Sequence, residues 1–245
     1  MITPVILTYN EDHNIESTLN ALAWAPRIVL LDSGSNDRTE QIARSFGNVS
    51  WFVRRFDDHR SQWTYAIQET AIATEYVLAL DADMRPGAGF QDELQGFLRL
   101  REFAGAWTPF EYRVLGRRLP GSIYPAQVRV FRKHDVRIDQ PGHSQVFHVP
   151  GPLCRFRSSL IHEDQKPIDR WLNNQMKYAS LEAARIKGIP TKNLKDKLRM
   201  AGLSPAIWSM WAYLKAGGPI NHSASRAYAC ERLIFEALLA RLLSD

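Results

Sequence analysis

Between Val5 and Asp83, short apolar runs alternate with amphipathic stretches. The runs are Val5–Tyr9, Ile28–Leu31, Val49–Val53 and Val77–Leu80. Unbroken runs rich in Val, Ile and Leu suit strands buried on both faces. The segments between them carry helical spacing: Ile15, Leu19 and Leu22 in the first, Ile42, Ala43 and Phe46 in the second, and a third helix over Ser61–Thr74. A β-α-β-α-β-α-β order with short connections predicts an α/β fold with a doubly wound, mostly parallel sheet flanked by helices.

The runs close on polar residues at what this topology makes one edge of the sheet: Asn10 and Glu11, Asp32, and Asp81 with Asp83. Residues two apart on a strand point the same way, so Asp81 and Asp83 can share one crevice at the carboxyl end, where open α/β sheets bind ligands. Two hard oxygen donors suit Mg²⁺ or Mn²⁺ completed by phosphate and water. At Asp32 an acceptor-only side chain can take a uracil-type N–H. Tyr9 can offer a ring to a base, or be an amphipathic strand-end tyrosine. Glu11 can accept from ribose hydroxyls, or be a helix-start acid favoured by the dipole. Asp37 is accounted for as a helix cap.

Composition narrows the partners. The net charge of +5 favours anionic ones, but no recognised nucleic-acid motif accompanies it. Cys154 and Cys230 form no disulfide framework or metal-knuckle spacing, which suits a reducing compartment. No basic leader with an apolar core precedes the first strand, so a cytoplasmic protein is expected.

In the second half, Phe90–Leu100 reads as a helix and Ala104–Phe110 as a strand. Glu111–Gly121 reads as a basic loop, and Val128–Arg132 as a half-exposed strand whose Arg129 or Arg132 could face a diphosphate or simply line a solvated face. Trp208–Leu214, with Trp208 and Trp211 on one side and Lys215 beside them, suits a membrane interface, and Ala227–Leu243 suits either a helical lid or the same interface. The expected division is residues 1–165 as the binding and catalytic domain and 166–245 as a helical extension.

Val5-Ile6-Leu7-Thr8-Tyr9-Asn10-Glu11, Leu31-Asp32-Ser33-Gly34-Ser35-Asn36-Asp37-Arg38-Thr39 and Leu80-Asp81-Ala82-Asp83 stand in the order and spacing of three signatures of family 2 glycosyltransferases. The first 90 or so residues resemble that family. The resemblance implies a GT-A fold, a nucleotide-sugar donor, UDP-sugar favoured, and inversion at the anomeric carbon. It implies nucleotide contacts at Thr8, Tyr9, Glu11, Asp32 and Asp81, and at Arg60 and Gln62, where the start of the third helix borders the nucleotide. It also implies His162 as an added metal ligand, an imidazole better suited to Mn²⁺ than Mg²⁺.

His143–His148 and the helix opening at Lys166–Trp171 resemble the branch that includes lipopolysaccharide-core glucosyltransferases. Many of those proteins have a His-Glu pair where this chain has His143-Ser144. With Ser144 at the expected base position, Asp139 is the first substitute and His143 the second. The same resemblance, with the aromatic tail, implies a glycan or lipid-linked acceptor and a peripheral place on the cytoplasmic face of the inner membrane. A nucleotidyltransferase would carry a Gly-rich basic loop where Tyr9-Asn10-Glu11 stands. A degenerate sugar-nucleotide binder is the remaining alternative.

Overall fold

The alternating sequence becomes a seven-stranded sheet in the computed structural model, which describes residues 1–140, 145–190 and 192–244. His143 and Ser144 therefore lie outside the described residues. The chain divides into two units, the first comprising Met1–Glu111, Pro125–Gln140 and Gln145–Gln165.

In chain order the first unit contains β1 (Ile2–Thr8), α1 (Ile15–Ala21), β2 (Ile28–Asp32), α2 (Thr39–Arg44), β3 (Val49–Val53), α3 (His59–Gln68), β4 (Tyr76–Asp81), β5 (Met84–Pro86), α4 (Phe90–Leu100) and β6 (Gly105–Thr108). Next come β7 (Phe110–Val114), which runs across the unit boundary, and β8 (Arg117–Arg118) beyond it. The first unit resumes with β9 (Gln127–Arg132), β10 (Arg137–Asp139), β11 (Val146–His148), β12 (Leu153–Arg155) and β13 (Leu160–His162). The sheet order is β12-β6-β9-β4-β1-β2-β3.

β4, β1, β2 and β3 are parallel neighbours, as the buried runs predict, with Thr8 opposite Asp32 and Leu7 opposite Asp81. Apolar side chains fill both faces. Ile6, Leu30, Leu78 and Leu80 pack with α1 and α4 residues on one face, and Val5, Val29, Leu31 and Val77 with Trp63, Ala66 and Ile67 of α3 on the other.

Three expectations change here, the first being that Glu111–Gly121, read as a basic loop, carries most of β7 and all of β8 as an antiparallel pair. The third helix starts at His59, because Asp58 accepts from the Ser61 amide and Gln140 Oε1 accepts from the amides of His59 and Arg60. It ends at Gln68, and Ala71 takes a left-handed φ of 53°. Strand β9, expected to be half-exposed, is instead central, antiparallel to both β4 and β6, with Val128, Arg129, Val130 and Phe131 buried.

The second unit contains α5 (Ile168–Gly188), α6 (Leu194–Met200), α7 (Ser204–Lys215), a 3₁₀ turn over Gly218–Asn221 and α8 (His222–Leu243). It also takes in Tyr112–Tyr124, whose Val114 and Leu119 join Ala212, Ala216, Ala224 and Tyr228 in one cluster. Ala179, Ala183 and Ile186 of α5 pack with Phe235 and Leu239 of α8. Arg199, 3% exposed as a side chain, donates to Glu182 and Glu236, and Arg185 donates to Glu182 and Asp196. No helix among the described residues is long and apolar enough to cross a membrane.

Candidate active site

The parallel strands deliver their polar ends to one edge. Asn10 follows β1 in a left-handed conformation, φ 55°, which asparagine tolerates. Its amide donates to Ser35 Oγ at 2.8 Å, and its Oδ1 accepts from the Asn36 amide at 2.9 Å, so the β1 and β2 exit loops are tied together. Asp32 is buried at 2% exposure and shapes its own turn by accepting from the amides of Gly34 and Ser35 and from Ser35 Oγ. A carboxylate has about four lone-pair sites, so one remains for a ligand. Thr8 is buried and its Oγ1 has no protein partner, whereas Tyr9 is 52% exposed at the rim.

The Asp81-Ala82-Asp83 segment is held from behind. Thr18 Oγ1 donates to the Ala82 carbonyl at 2.7 Å, and the Glu163 amide donates to the Asp83 carbonyl at 3.1 Å. β5 pairs antiparallel with β13, setting His162 opposite Met84 and bringing His162 Nε2 within 3.6 Å of Asp83 Oδ2. Asp83 Oδ1 is buried without a protein partner. Glu163 is taken by an ion pair with Arg85, and Asp164 accepts from Asn14 Nδ2 at 3.1 Å.

Arg129 reaches the same edge from β9. Its Nη2 lies 3.2 Å from Asp81 Oδ2 and donates to Gln127 Oε1 at 2.8 Å, while its buried Nη1 has no partner. Burial pushes the Asp81 carboxyl up, but the Arg129 charge, followed by His59 and His162, outweighs it and holds the group below its ordinary value. Thr108 Oγ1, in register with Gln127, is another buried atom without a partner. Asp83 Oδ1 and Arg129 Nη1 are thus buried polar atoms without partners on either side of Asp81, where native proteins leave few without a ligand or water.

Other expected site residues sit differently. Arg132 belongs at the opposite edge, because β9 is antiparallel to β4 and Arg132 pairs with Tyr76 at that strand's start. There it donates to Tyr76 Oη and the Arg101 carbonyl and pairs with Glu75, so it is not brought to the carboxylates. Gln62 is buried and its amide is occupied: Nε2 donates to Ser33 Oγ and the Arg54 carbonyl, and Oε1 accepts from Arg54 Nη1. It braces the β2 and β3 exits rather than offering a free amide. Arg60 is exposed at the second position of α3.

Glu11 Oε2 accepts from Asn14 Nδ2 at 2.8 Å. Asp139, on β10, holds Arg137 at 3.0 Å and His148 at 3.1 Å, both through Oδ2. The next residue, Gln140, binds the α3 amides beside His59.

Sequence reasoning missed Asn14 and Thr18. Asn14 stands at the N-cap of α1 and Thr18 lies one turn into it, and Asn14 links Glu11, Asp164 and the Gln165 amide. The only available signal was two polar residues interrupting the buried α1 stripe at helical spacing.

A sheet with β4, β1, β2 and β3 parallel, an antiparallel β9 beside β4, and carboxylates gathered at the strand ends is the GT-A arrangement. The profile described as "Glycosyl transferase family 2" matches residues 3–159, and the chain belongs to that family.

Similar solved structures include S. aureus TarS, residues 1–349, in complex with UDP-GlcNAc, with a TM-score of 0.54 and 14% identity, covering 98% of this chain and 90% of that chain. Another is glucosyl-3-phosphoglycerate synthase from Mycobacterium tuberculosis in complex with Mn²⁺, uridine-diphosphate and phosphoglyceric acid. Its TM-score is 0.53 at 16% identity, covering 78% of this chain and 80% of that chain. At these identities the likeness is one of fold.

Proposed function

We propose that the protein transfers a sugar, with inversion, from a UDP-sugar to a hydroxyl of a glycan or lipid-linked acceptor, of the kind used in lipopolysaccharide or other cell-surface glycan synthesis. The observation that carries this reading is the Asp81–Arg129 pair at the strand ends, with Arg129 Nη1 and the buried Asp83 Oδ1, two residues from Asp81, left without partners.

Among the described residues, no three His, Cys, Asp or Glu side chains form a complete metal cluster. The Asp83 Oδ1 without a partner and the nearby His162 nevertheless suit a divalent cation, Mn²⁺ or Mg²⁺, whose remaining ligands are phosphate oxygens and water. Asp83 would hold it, with Asp81 and His162 as the neighbouring donors. When bound, such a cation offsets charge on a diphosphate leaving group.

The chain's own groups supply the rest. Asp32 uses its remaining lone pair on the base N–H, with Tyr9 at the rim. Arg129, fixed by Gln127 and Asp81, presents Nη1 to the diphosphate and stabilises negative charge there as the sugar bond breaks. Asp139 Oδ1 takes the acceptor hydroxyl's proton, while Oδ2 is held by Arg137 and His148.

The test is calorimetric binding of UDP-glucose, UDP-GlcNAc and GDP-mannose with and without Mn²⁺, followed by a UDP-release assay on hydroxyl acceptors. Cation-dependent UDP-sugar binding is expected. Failure of every nucleotide sugar to bind would refute the donor reading. Binding without turnover on any acceptor would favour the degenerate binder.

A further inference from the structure

Helix α7 and its N-cap residue Leu203 carry five bulky apolar side chains on a side that neighbouring helices leave about half exposed. Ser204, Ala212 and Ala216 recur on one face and are buried, and that face packs against α8. Leu203, Ile207, Met210, Trp211 and Leu214 recur at steps of four, three, one and three, the spacing of a single helical stripe. Each of the five is between 42% and 59% exposed, and Ile220 in the following turn is 95% exposed. A surface helix usually turns its apolar stripe toward the core. Here the small residues allow α8 to approach, and the large ones are left facing outward. A contiguous exposed apolar stripe marks an interaction surface.

Charge indicates what covers it. The unit that contains α7 holds sixteen of the chain's 31 Lys and Arg residues but only six of its 26 Asp and Glu residues. A second copy would set this cationic excess against itself, whereas an anionic lipid surface attracts it. Lys215 Nζ lies 5.0 Å from the Trp211 ring centroid, at the end of the stripe. An indole with a cationic tip beside it suits the headgroup layer, where apolar bodies and polar tips are both satisfied.

Trp208, expected on the same side as Trp211, instead lies partly covered, with Lys195 Nζ 5.6 Å from its ring and Nε1 buried. The five-residue stripe therefore replaces the Trp208–Trp211 pair.

We propose that this outward face of α7 docks the protein on the surface of an anionic bilayer, lying in the headgroup region without crossing it. The proposal stands on the helical unit alone and holds independently of the sugar-transfer reading.

The test is co-sedimentation of the full chain with phosphatidylcholine vesicles and with vesicles also containing phosphatidylglycerol, without nucleotide or metal. The wild type is expected to sediment with the phosphatidylglycerol vesicles, less so as salt rises, and poorly with phosphatidylcholine alone. The triple variant Met210→Ser, Trp211→Ser, Leu214→Ser should bind about tenfold more weakly, since it removes much of the apolar area and keeps the charge. Its melting temperature should fall only modestly, because these side chains are about half covered on folding, and circular dichroism should show it folded at the assay temperature. Trp208→Phe should sediment like the wild type.

The proposal is overturned if the wild type ignores phosphatidylglycerol vesicles at physiological salt, or if the triple variant binds them equally well. It is also overturned if, without vesicles, light scattering finds a wild-type dimer that the triple variant splits, which would assign the face to a second copy of this chain.

Discussion

Asp83→Asn should separate stability from function. The Asp83 side chain is 13% exposed, with Oδ1 buried and unpaired and Oδ2 3.6 Å from His162 Nε2. A buried polar atom left without a partner costs roughly 1–3 kcal/mol. The 3.6 Å contact is too long for a hydrogen bond, and a loose pair of this kind contributes about 0–1 kcal/mol. Asparagine keeps the shape and removes the charge, so the ligand-free protein should be unchanged or gain up to about 1 kcal/mol.

Ligand binding should respond in the opposite way. At ligand concentrations about 100-fold above Kd, binding stabilises the wild type by about 2.7 kcal/mol. At about 2–4 °C per kcal/mol for a chain of this size, that is a rise of roughly 5–11 °C in Tm. The assay is thermal melting with UDP, with Mn²⁺, and with both. The wild type should show the full rise only with both, and the variant should lack it while its ligand-free Tm equals or exceeds that of the wild type. A ligand-free Tm several degrees lower would make Asp83 a structural residue. A preserved Mn²⁺-dependent rise would remove it from the metal site.

Arg129→Met should weaken UDP-sugar binding and cost about 1–2 kcal/mol in urea unfolding, less than a fully buried pair because Asp81 retains 36% exposure; unchanged affinity by calorimetry would exclude Arg129 from the diphosphate site. Arg199→Met should cost about 3–5 kcal/mol at neutral pH, because Glu182 and Glu236 lose a buried cation. Burial pushes the Glu236 carboxyl up, but the Arg199 hydrogen bonds and the Arg232 and Arg199 charges hold it below its ordinary 4.5. Its contribution is therefore present above pH 4.5 and lost as pH falls through the depressed value, so the wild-type advantage should narrow below pH 4.5 in urea titrations at several pH values. Asp139→Asn should lower kcat by about 10²–10⁴ with donor affinity retained; a near-normal kcat in the UDP-release assay would move the base elsewhere.

Local sequence determined much of the first unit. β1, β2 and β4 are buried on both faces, so their composition is continuous Val, Ile and Leu, and that signal needs no knowledge of partners. The positions of Asp32, Asp81 and Asp83 followed, because parallel strands linked by short helices place their carboxyl ends on one edge. β9 was not legible in the same way. Val-Arg-Val-Phe-Arg has the alternation of a half-exposed strand, and only its pairing with both β4 and β6 buried Arg129 against Asp81 and sent Arg132 to the far edge.

The same non-local choice occupied Gln62 with Arg54 and Ser33, drew Tyr112–Tyr124 into the helical unit, and left Trp211 outward while Trp208 was partly covered. Periodicity encodes which residues share a face. What covers that face, and which polar atoms it leaves unsatisfied, depends on chain segments far away in sequence, so only the tertiary structure decides it.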